Sequence, residues 1–238
     1  MTKNRKLFED VDERSDSTKA SSIEILSVEQ SSWLKIWLWT LLVSLISLIL
    51  VGGWTRLTDS GLSIVEWKPI TGMIPPFNSE GWIVEFEKYK SIPEFKLVNF
   101  DITMDEFKFI YWWEWGHRQL ARFIGLVWFL GFLILWITKQ IPKRWTFYFF
   151  GIGLLGALQA FLGWWMVSSG LDGQVVDVFS YRLAIHLTMA FIILALIFWA
   201  ILFHSENSAK IFESRRNRNK VSVNILAGLG VLCYVQLA

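Results

Sequence analysis

The sequence predicts an all-α integral membrane protein: a four-helix transmembrane bundle plus the start of a fifth helix, with a cytoplasmic N-terminus. The chain has 238 residues, is 53% hydrophobic and contains 15 Trp and 19 Phe, more apolar surface than a soluble domain of this length buries. Its apolar residues fall in runs of about 20, the length that a helix needs to cross a bilayer. Basic and acidic loops alternate between these runs, as in multi-pass membrane proteins.

Charge and cysteine content narrow the classes of function. The formal net charge is +2, so no nucleic acid partner is expected. The single cysteine, Cys233, allows neither an internal disulfide nor a cysteine-based metal cluster. Redox chemistry would therefore need a bound cofactor.

The first element, residues 1–32, is predicted to be a polar cytoplasmic tail. It carries many acidic residues and has no apolar centre. A secretory signal needs an apolar centre and a mitochondrial presequence avoids acids, so neither is expected here. The first membrane helix would then act as its own insertion signal.

Apolar runs predict the membrane helices themselves. We expect a bundle over residues 33–203 and an incomplete fifth helix over 221–238. The incomplete helix suggests a truncated chain, a frameshifted gene or one piece of a longer protein. The second run reaches full length only if the turn carrying Arg118 and Arg122 is counted. The four expected spans are 36–54, 123–138, 145–167 and 183–203.

Loop charges predict the orientation. The loop 139–144 and the loop 204–220 are basic, whereas 168–180 has two acids and no Lys or Arg. Since Lys and Arg concentrate in cytoplasmic loops, the two basic loops are expected inside, together with the N-terminus. The acidic loop and the long loop 57–116 are then outside.

The long outer loop is predicted to have structure of its own, because connectors of this length are seldom passive. The stretch 80–90 has the pattern of a short amphipathic helix, suited to the membrane interface. Thr103 and Glu106 fit a capping box. A helix that starts there would run through the Trp-rich stretch 111–115 into the second span.

Two clusters of ionisable residues predict a functional site. His117, Arg118 and Arg122 open one span, and Arg182 and His186 open another at the same outer face. Ionisable groups inside a span are costly and usually functional. Two imidazoles at similar depth suit the iron of a haem, and arginines suit its two propionates.

Other polar residues leave alternatives open. Glu114 shares a helix face with His117 and is either an interfacial acid or a proton-transfer group. Arg118 and Arg122 could instead anchor to lipid phosphates. His204 is expected to be a solvated boundary residue, and Gln159 is expected to hydrogen-bond another helix. Glycines are expected to allow close packing of the third span: Gly151, Gly153, Gly156 and Gly163.

Four long motifs carry a resemblance to a known family. They are GGWTRLTDSGLSIVEWKPITGMIPP at 52–76, EFKFIYWWEWGHRQLARFIG at 106–125, GWWMVSSGL at 163–171 and YRLAIHL at 181–187. With these motifs and their spacing, the chain resembles the haem A synthase family. The form that lacks paired loop cysteines, found in alphaproteobacteria and mitochondria, is the best match.

The resemblance implies an activity and a set of site residues. Such an enzyme oxidises a methyl group of haem O to a formyl group, with water as the oxygen source, and supplies haem A to cytochrome oxidase. Glu114 and His117 would be catalytic, and His117 and His186 would be the axial ligands of the haem iron. The arginines implied in haem binding are Arg118, Arg122, Arg182 and Arg56. The family has a second four-helix bundle that holds haem b, which is expected in a C-terminal half beyond this chain.

The resemblance also implies partners and a location. Haem O is the substrate, and the partners would be haem O synthase (protohaem farnesyltransferase), cytochrome oxidase assembly factors and membrane lipid, with homo-oligomerisation open. A bacterial inner membrane is favoured over the mitochondrial inner membrane. The alternatives are a non-catalytic haem-binding or electron-transfer protein of cytochrome b type, and a cofactor-free transporter or structural protein.

Overall fold

The computed structural model describes residues 31–171 and 175–204, which form helices joined by turns. The helices are α1 (Ser32–Leu57), α2 (Ser79–Tyr89), α3 (Pro93–Leu97), α4 (Met104–Ile137), α5 (Lys143–Leu171) and α6 (Ser180–Phe203), with a 3-10 turn at Thr71–Met73. The predicted tail up to residue 30, the basic loop from residue 205 and the incomplete fifth helix lie outside the described residues.

Four of these helices are long and apolar enough to cross a membrane: α1, α4, α5 and α6. This confirms the predicted all-α membrane fold with four spans in residues 33–203. Each helix extends beyond its apolar run, because polar residues at helix ends can supply the missing hydrogen bonds. At the start of α1, for example, the Ser31 hydroxyl accepts a bond from the Leu34 amide at 3.4 Å.

The capping box at the start of α4 is confirmed. The Thr103 hydroxyl accepts from the Glu106 amide at 3.3 Å, and the Glu106 carboxylate accepts from the Thr103 amide at 2.8 Å. From there α4 runs unbroken for 34 residues. At 1.5 Å per residue it is about 50 Å long, so its first turns extend beyond a hydrocarbon core of about 30 Å.

The four spans pack as a square. α1 contacts α4 and α6 along its length, and α5 also contacts α4 and α6. The pairs on the diagonals are therefore α1 with α5 and α4 with α6. Residues 58–103 fold over the end at which α1 and α5 finish and α6 begins, which we call the capped end.

An apolar core fills the opposite end of the bundle. All four spans contribute to it, and two hydrogen bonds to main-chain oxygens tie the helices together: Trp37 Nε1 donates to Val127 O at 3.0 Å and Tyr148 Oη to Leu196 O at 2.7 Å. The core residues of lowest exposure are Leu34, Leu38, Leu41, Phe149 and Ala200.

His204 lies in this core, so the expectation of a solvated boundary residue is wrong. Its side chain caps α6 at a position that is only 6% exposed. The ring packs 4.6 Å from the Trp145 ring, and Nδ1 lies 2.8 Å from Ala200 O. Aromatic side chains of α5 bury His204. The apolar run of α6 alone suggested that this residue is exposed.

A second apolar cluster forms the interior of the outer loop. The predicted helix at 80–90 is confirmed as α2, and it turns Phe86 and Tyr89 onto Phe107 near the start of α4. The other buried members are Leu62, Ile92, Ile110 and Tyr111. The outer loop is therefore a packed cap, with α4 running through it.

Glycines permit close approach at two of the four predicted positions. A Cβ at Gly153 would lie 2.0 Å from the Trp128 ring of α4, and one at Gly163 would lie 2.9 Å from the His186 ring of α6. Gly151 and Gly156 have nothing within 4 Å of the same point. The close-packing prediction is thus confirmed for Gly153 and Gly163 only.

Candidate functional site

Between the core and the cap, the bundle has a section that buried side chains do not fill. In these described stretches no residue is buried over 46–54 of α1, 115–134 of α4, 153–168 of α5 or 185–189 of α6. This section is therefore less buried than the core or the cap, and both histidines of the predicted site lie in it.

His117 projects into this section from α4. Its ring lies against α1 at Gly52, where a Cβ would come within 2.9 Å of Nε2. Any larger residue at position 52 would push the imidazole away. The small residue in the GGW motif after the first apolar run thus makes room for a histidine of the neighbouring span.

His186 projects into the same section from α6 and has an equivalent environment. Its ring lies against Gly163 of α5, at 2.9 Å from the position of a Cβ. Its Nδ1 is buried without a hydrogen-bond partner, and the Gln159 amide lies 3.4 Å from its Nε2. A buried nitrogen without a partner is costly, so this imidazole is not fully bonded by the protein.

The two histidines sit on diagonal helices at similar depth. Gly52 precedes the end of α1 by five residues and Gly163 precedes the end of α5 by eight. At 1.5 Å per residue, both rings lie about 8 to 12 Å below the capped end. This arrangement supports the prediction of matched depth.

Glu114 is buried against the outer loop. It is 3% exposed, and its carboxylate accepts hydrogen bonds from the Ser63 hydroxyl and the Ile64 amide, both at 2.7 Å. Arg118 Nη2 donates to it at 2.5 Å and pairs with it as an ion pair. Three donors satisfy this carboxylate, which fixes the start of the loop to α4.

The arginines next to His117 hold main-chain oxygens of the loop. Arg118 donates to Ile64 O at 2.9 Å and Glu66 O at 3.2 Å. Arg122 donates to Lys68 O and Pro69 O, both at 3.0 Å, whereas its buried Nη1 has no partner. Each guanidinium has five N–H donors, so the loop does not exhaust them.

Arg118 and Arg122 also line a cavity of about 450 Å³ beneath the outer loop. Arg122 approaches Gly72 there, where a Cβ would lie 3.2 Å from Nη2. Hydrogen bonds from Lys68 and Lys88 lower the pKa of Glu66, another residue of the wall, below its ordinary value. The wall of this cavity therefore contains a guanidinium with an unused donor, Arg122, and a carboxylate, Glu66, that is paired with two lysines.

The other two arginines lie elsewhere at the capped end. Arg182 donates to Trp165 O at 2.6 Å and stacks on the Trp165 ring at 4.4 Å. Arg56 pairs with Asp177 at 2.7 Å and Asp59 at 3.2 Å. All four predicted arginines thus tie segments together at this end, and Arg118 and Arg122 share a cavity.

Sequence reasoning missed two residues of this region: Gly52, which borders His117, and Ser63, which donates to Glu114. The prediction that Gln159 bonds another helix is confirmed, since its amide donates to His186 O of α6, although the sequence did not name this partner. The signal for Ser63 was available in principle, since a buried carboxylate must find donors in a neighbouring segment. The partners of Gly52 and Gln159 follow only from how the helices pack.

The donor set fits a flat iron porphyrin better than a bare metal ion. Among the described residues, no three His, Cys, Asp or Glu side chains come together in a way that could hold a metal ion. Two imidazoles on opposite helices leave the equatorial positions to the ligand itself, as haem requires. Arg122 Nη1 is a buried donor without a partner, as a site for an anionic propionate would need.

Fold and site together define a class: a multi-pass helical membrane protein with two histidines at matched depth on diagonal helices. A family model described as "Cytochrome oxidase assembly protein", COX15-CtaA, matches residues 35–238. The chain belongs to this family.

Curated relatives with the name Heme A synthase are similar over most of the chain. The protein of Cereibacter sphaeroides is 44% identical over 99% of this chain and 61% of its own length. That of Dinoroseobacter shibae is 48% identical over 91% and 58%, and that of Paracoccus denitrificans 48% over 86% and 54%. The chain therefore spans somewhat over half the length of these relatives. No solved structure matches it.

Proposed function

We propose that this chain is the haem O-binding part of a haem A synthase, an oxidoreductase that converts a methyl group of haem O to a formyl group. The proposal rests on the family and on the relatives' names. The observation that carries it is the histidine pair: His117 and His186 lie at similar depth on diagonal helices, in a section without buried side chains.

Histidines would bind the iron of the haem, and arginines would bind its propionates. His117 and His186 would hold the iron, which fixes the plane of the substrate across the bundle. Arg122, whose Nη1 has no partner, is the best placed arginine for a propionate, with Arg118 beside it and Arg182 and Arg56 further along the capped end. Arginine recognises carboxylates through paired N–H donors.

Glu114 would take part in proton transfer or in charge stabilisation during the reaction. Oxidation of a methyl to a formyl group with oxygen from water releases protons and electrons, so both a base and an electron acceptor are needed. Glu114 lies one helical turn from His117 and is paired with Arg118. Its closeness to His117 suits it to receive a proton or to stabilise positive charge that develops near the iron, and the ion pair with Arg118 favours the second of these roles.

The cellular setting is part of the proposal. Haem b would be held by residues outside the described bundle, and the partners would be haem O synthase, cytochrome oxidase assembly factors and membrane lipid. The four apolar spans make the chain a multi-pass membrane protein. We place it in a bacterial inner membrane with the capped end towards the periplasm, since the loop at the other end is basic.

The first test is to express the 238-residue chain in bacterial membranes that contain haem O, purify it and identify the bound haem by chromatography. We expect haem O to copurify, and hydroxylated haem O or haem A to appear where the chain can turn over. His117→Ala and His186→Ala should each lower the amount of bound haem several-fold, because each removes a ligand. The matched control is His204→Asn, since His204 lies in the core at the opposite end.

Two results would contradict the proposal. One is absence of any haem from a folded chain, which would favour a cofactor-free membrane protein. The other is equal haem content in all three histidine variants, which would mean that the iron is held elsewhere.

A non-catalytic haem protein of cytochrome b type is the second candidate, and the bonding of Glu114 favours it. This carboxylate already accepts from Ser63, Ile64 and Arg118, as a purely structural anchor would. Glu114→Gln distinguishes the two candidates when measured in an active preparation. Loss of hydroxylated and formyl products by about tenfold or more, with haem content retained, supports catalysis. Loss of haem or of folded protein instead supports an anchor.

A further inference from the structure

Gln159 is a polar side chain inside the third span, next to a candidate iron ligand. It lies one turn before Gly163 on α5, so both residues lie on the face of α5 that contacts α6. Its Nε2 donates to the main-chain oxygen of His186 at 3.0 Å and lies 3.4 Å from Nε2 of the His186 ring. One amide group thus reaches both the backbone and the imidazole of the same residue.

The bonding around Gln159 is incomplete in a specific way. The amide oxygen Oε1 and His186 Nδ1 are both buried and have no partner. A glutamine in a span is expensive unless its amide is bonded, so a merely structural glutamine would normally satisfy its oxygen as well. Here the NH₂ group is used and the oxygen is not.

This geometry selects one form of the imidazole. The Gln159 NH₂ has two hydrogens: one goes to the His186 carbonyl, and the other points towards the ring. A ring nitrogen that faces a donor must present its lone pair, and in a neutral imidazole the proton then sits on the other nitrogen. The contact therefore favours the tautomer in which Nε2 is unprotonated and Nδ1 carries the hydrogen. Gly163 supports the same ring from the side.

We propose that Gln159 is the positioning residue for His186: it selects the tautomer whose Nε2 carries the lone pair, and it fixes the main chain at this position. The contact at 3.4 Å is long for a hydrogen bond, so an incoming iron can displace it, while the bond to the main-chain oxygen stays. This inference rests on the proposed haem function for its purpose, although not for its geometry.

The direct test is ¹⁵N NMR of histidine-labelled, haem-free protein in detergent micelles, with the His186 signals identified by their loss in His186→Asn. In the wild type we expect His186 protonated at Nδ1 and unprotonated at Nε2. In Gln159→Leu we expect a mixture of both tautomers. A wild-type His186 with its proton on Nε2 would overturn the proposal, whatever the variant does.

The second test measures affinity for added ferric haem, from the Soret band, together with the low-spin electron paramagnetic resonance spectrum. Gln159→Leu should weaken binding by roughly tenfold and shift the g values, because groups that orient an iron ligand typically contribute that much. The matched control is Gln119→Leu, which also removes an amide-to-carbonyl bond, to Gly72 at 3.1 Å, without touching either imidazole. It should change affinity less than about twofold, and equal effects of the two variants would count against the proposal.

The two tests separate this inference from the proposed function. Suppose that the wild type binds no haem, that His186 has the expected tautomer, and that Gln159→Leu disturbs this tautomer. The proposed function is then wrong, and the positioning role of Gln159 is supported. If haem binds through His186 and Gln159→Leu alters neither tautomer nor affinity, only the positioning role fails.

Discussion

Glu114 and Arg118 show how buried charges stabilise each other at the residue scale. A carboxylate or a guanidinium buried alone would be strongly unfavourable, whereas here each is paired and hydrogen-bonded to the same loop. Their spacing of four residues on α4 makes the pair predictable from sequence. That both also bind the loop after α1 was not predictable, because nothing local places Ser63 and Ile64 beside α4.

Glu94 is a second buried acid, in the outer loop. It is 6% exposed, its Oε2 has no partner, and its Oε1 accepts only a long bond of 3.3 Å from Asn99. Burial, and secondarily the negative charges of Glu114, Asp59 and Asp177, raises its pKa to about 8. The folded protein therefore keeps this side chain protonated at pH values where the unfolded chain has lost the proton.

Glu94 should make the outer loop less stable as the pH rises. The unfolded group titrates near 4.5 and the folded one near 8. Between these values the folded state binds more protons, so the free energy of unfolding falls with increasing pH, by at most about 1.4 kcal/mol per pH unit. We expect Glu94→Gln to remove most of this dependence and to raise the melting temperature at pH 8 more than at pH 5.

The measurement is thermal unfolding of both proteins in detergent at a series of pH values. Glu85→Gln is a suitable control, because it alters an acid of the same loop that is paired with Lys88. Parallel pH profiles for wild type and Glu94→Gln would show that Glu94 is not the responsible group.

At the scale of the helices, close contacts between Gly and Trp set the spacing of the spans. Trp37 of α1 packs over Gly131 of α4, and Trp128 of α4 packs over Gly153 of α5. Within a bilayer such packing replaces the hydrophobic effect as the force between helices. Trp128 is also stacked on Phe132 at 5.4 Å, so it has little freedom to move aside.

Two glycines of α5 should therefore respond in opposite ways to the same substitution. Gly153→Ala places a methyl group within 2.0 Å of the present Trp128 ring and should cost about 1 to 3 kcal/mol through overpacking. Gly151→Ala meets nothing within 4 Å and should be neutral or slightly stabilising. The melting temperature of each variant in detergent tests this. A similar change in both would mean that the contact with Trp128 does not decide the outcome.

At the scale of the whole molecule, the loops are divided between the two ends of the bundle. The outer loop and the acidic connection before α6 meet at the capped end, where Arg56 pairs with Asp177. The connection between α4 and α5 lies at the other end; it contains Lys139 and leads into Lys143 and Arg144, the first two residues of α5. The positive-inside rule then predicts that the capped end faces the periplasm.

Single cysteines in a Cys233→Ser background test this orientation. Ser91 in the outer loop and Lys139 at the opposite end are both exposed. A thiol reagent that does not cross membranes should label Ser91→Cys in intact spheroplasts, and Lys139→Cys only after lysis. The background protein without cysteine controls for other reactions. The reverse labelling pattern would place the capped end in the cytoplasm.

The sequence by itself determined the elements of this protein. Four spans, the capping box at Thr103, the helix at 80–90 and the approximate depth of His117 and His186 all follow from local rules, namely apolar length, helix caps and residue spacing along a helix. Hydropathy placed the helix ends too far inwards, because polar terminal turns contribute little to an apolar run.

The tertiary structure alone decided which helices are neighbours and what each polar side chain touches. Only the packing of α1 and α5 against α4 and α6 puts the histidines on a diagonal, each beside a glycine. Only the folded cap assigns Glu114 and Arg118 to the loop, and only the core buries His204. These contacts join residues far apart in the chain, and helix periodicity states which face a residue occupies but not what lies opposite that face.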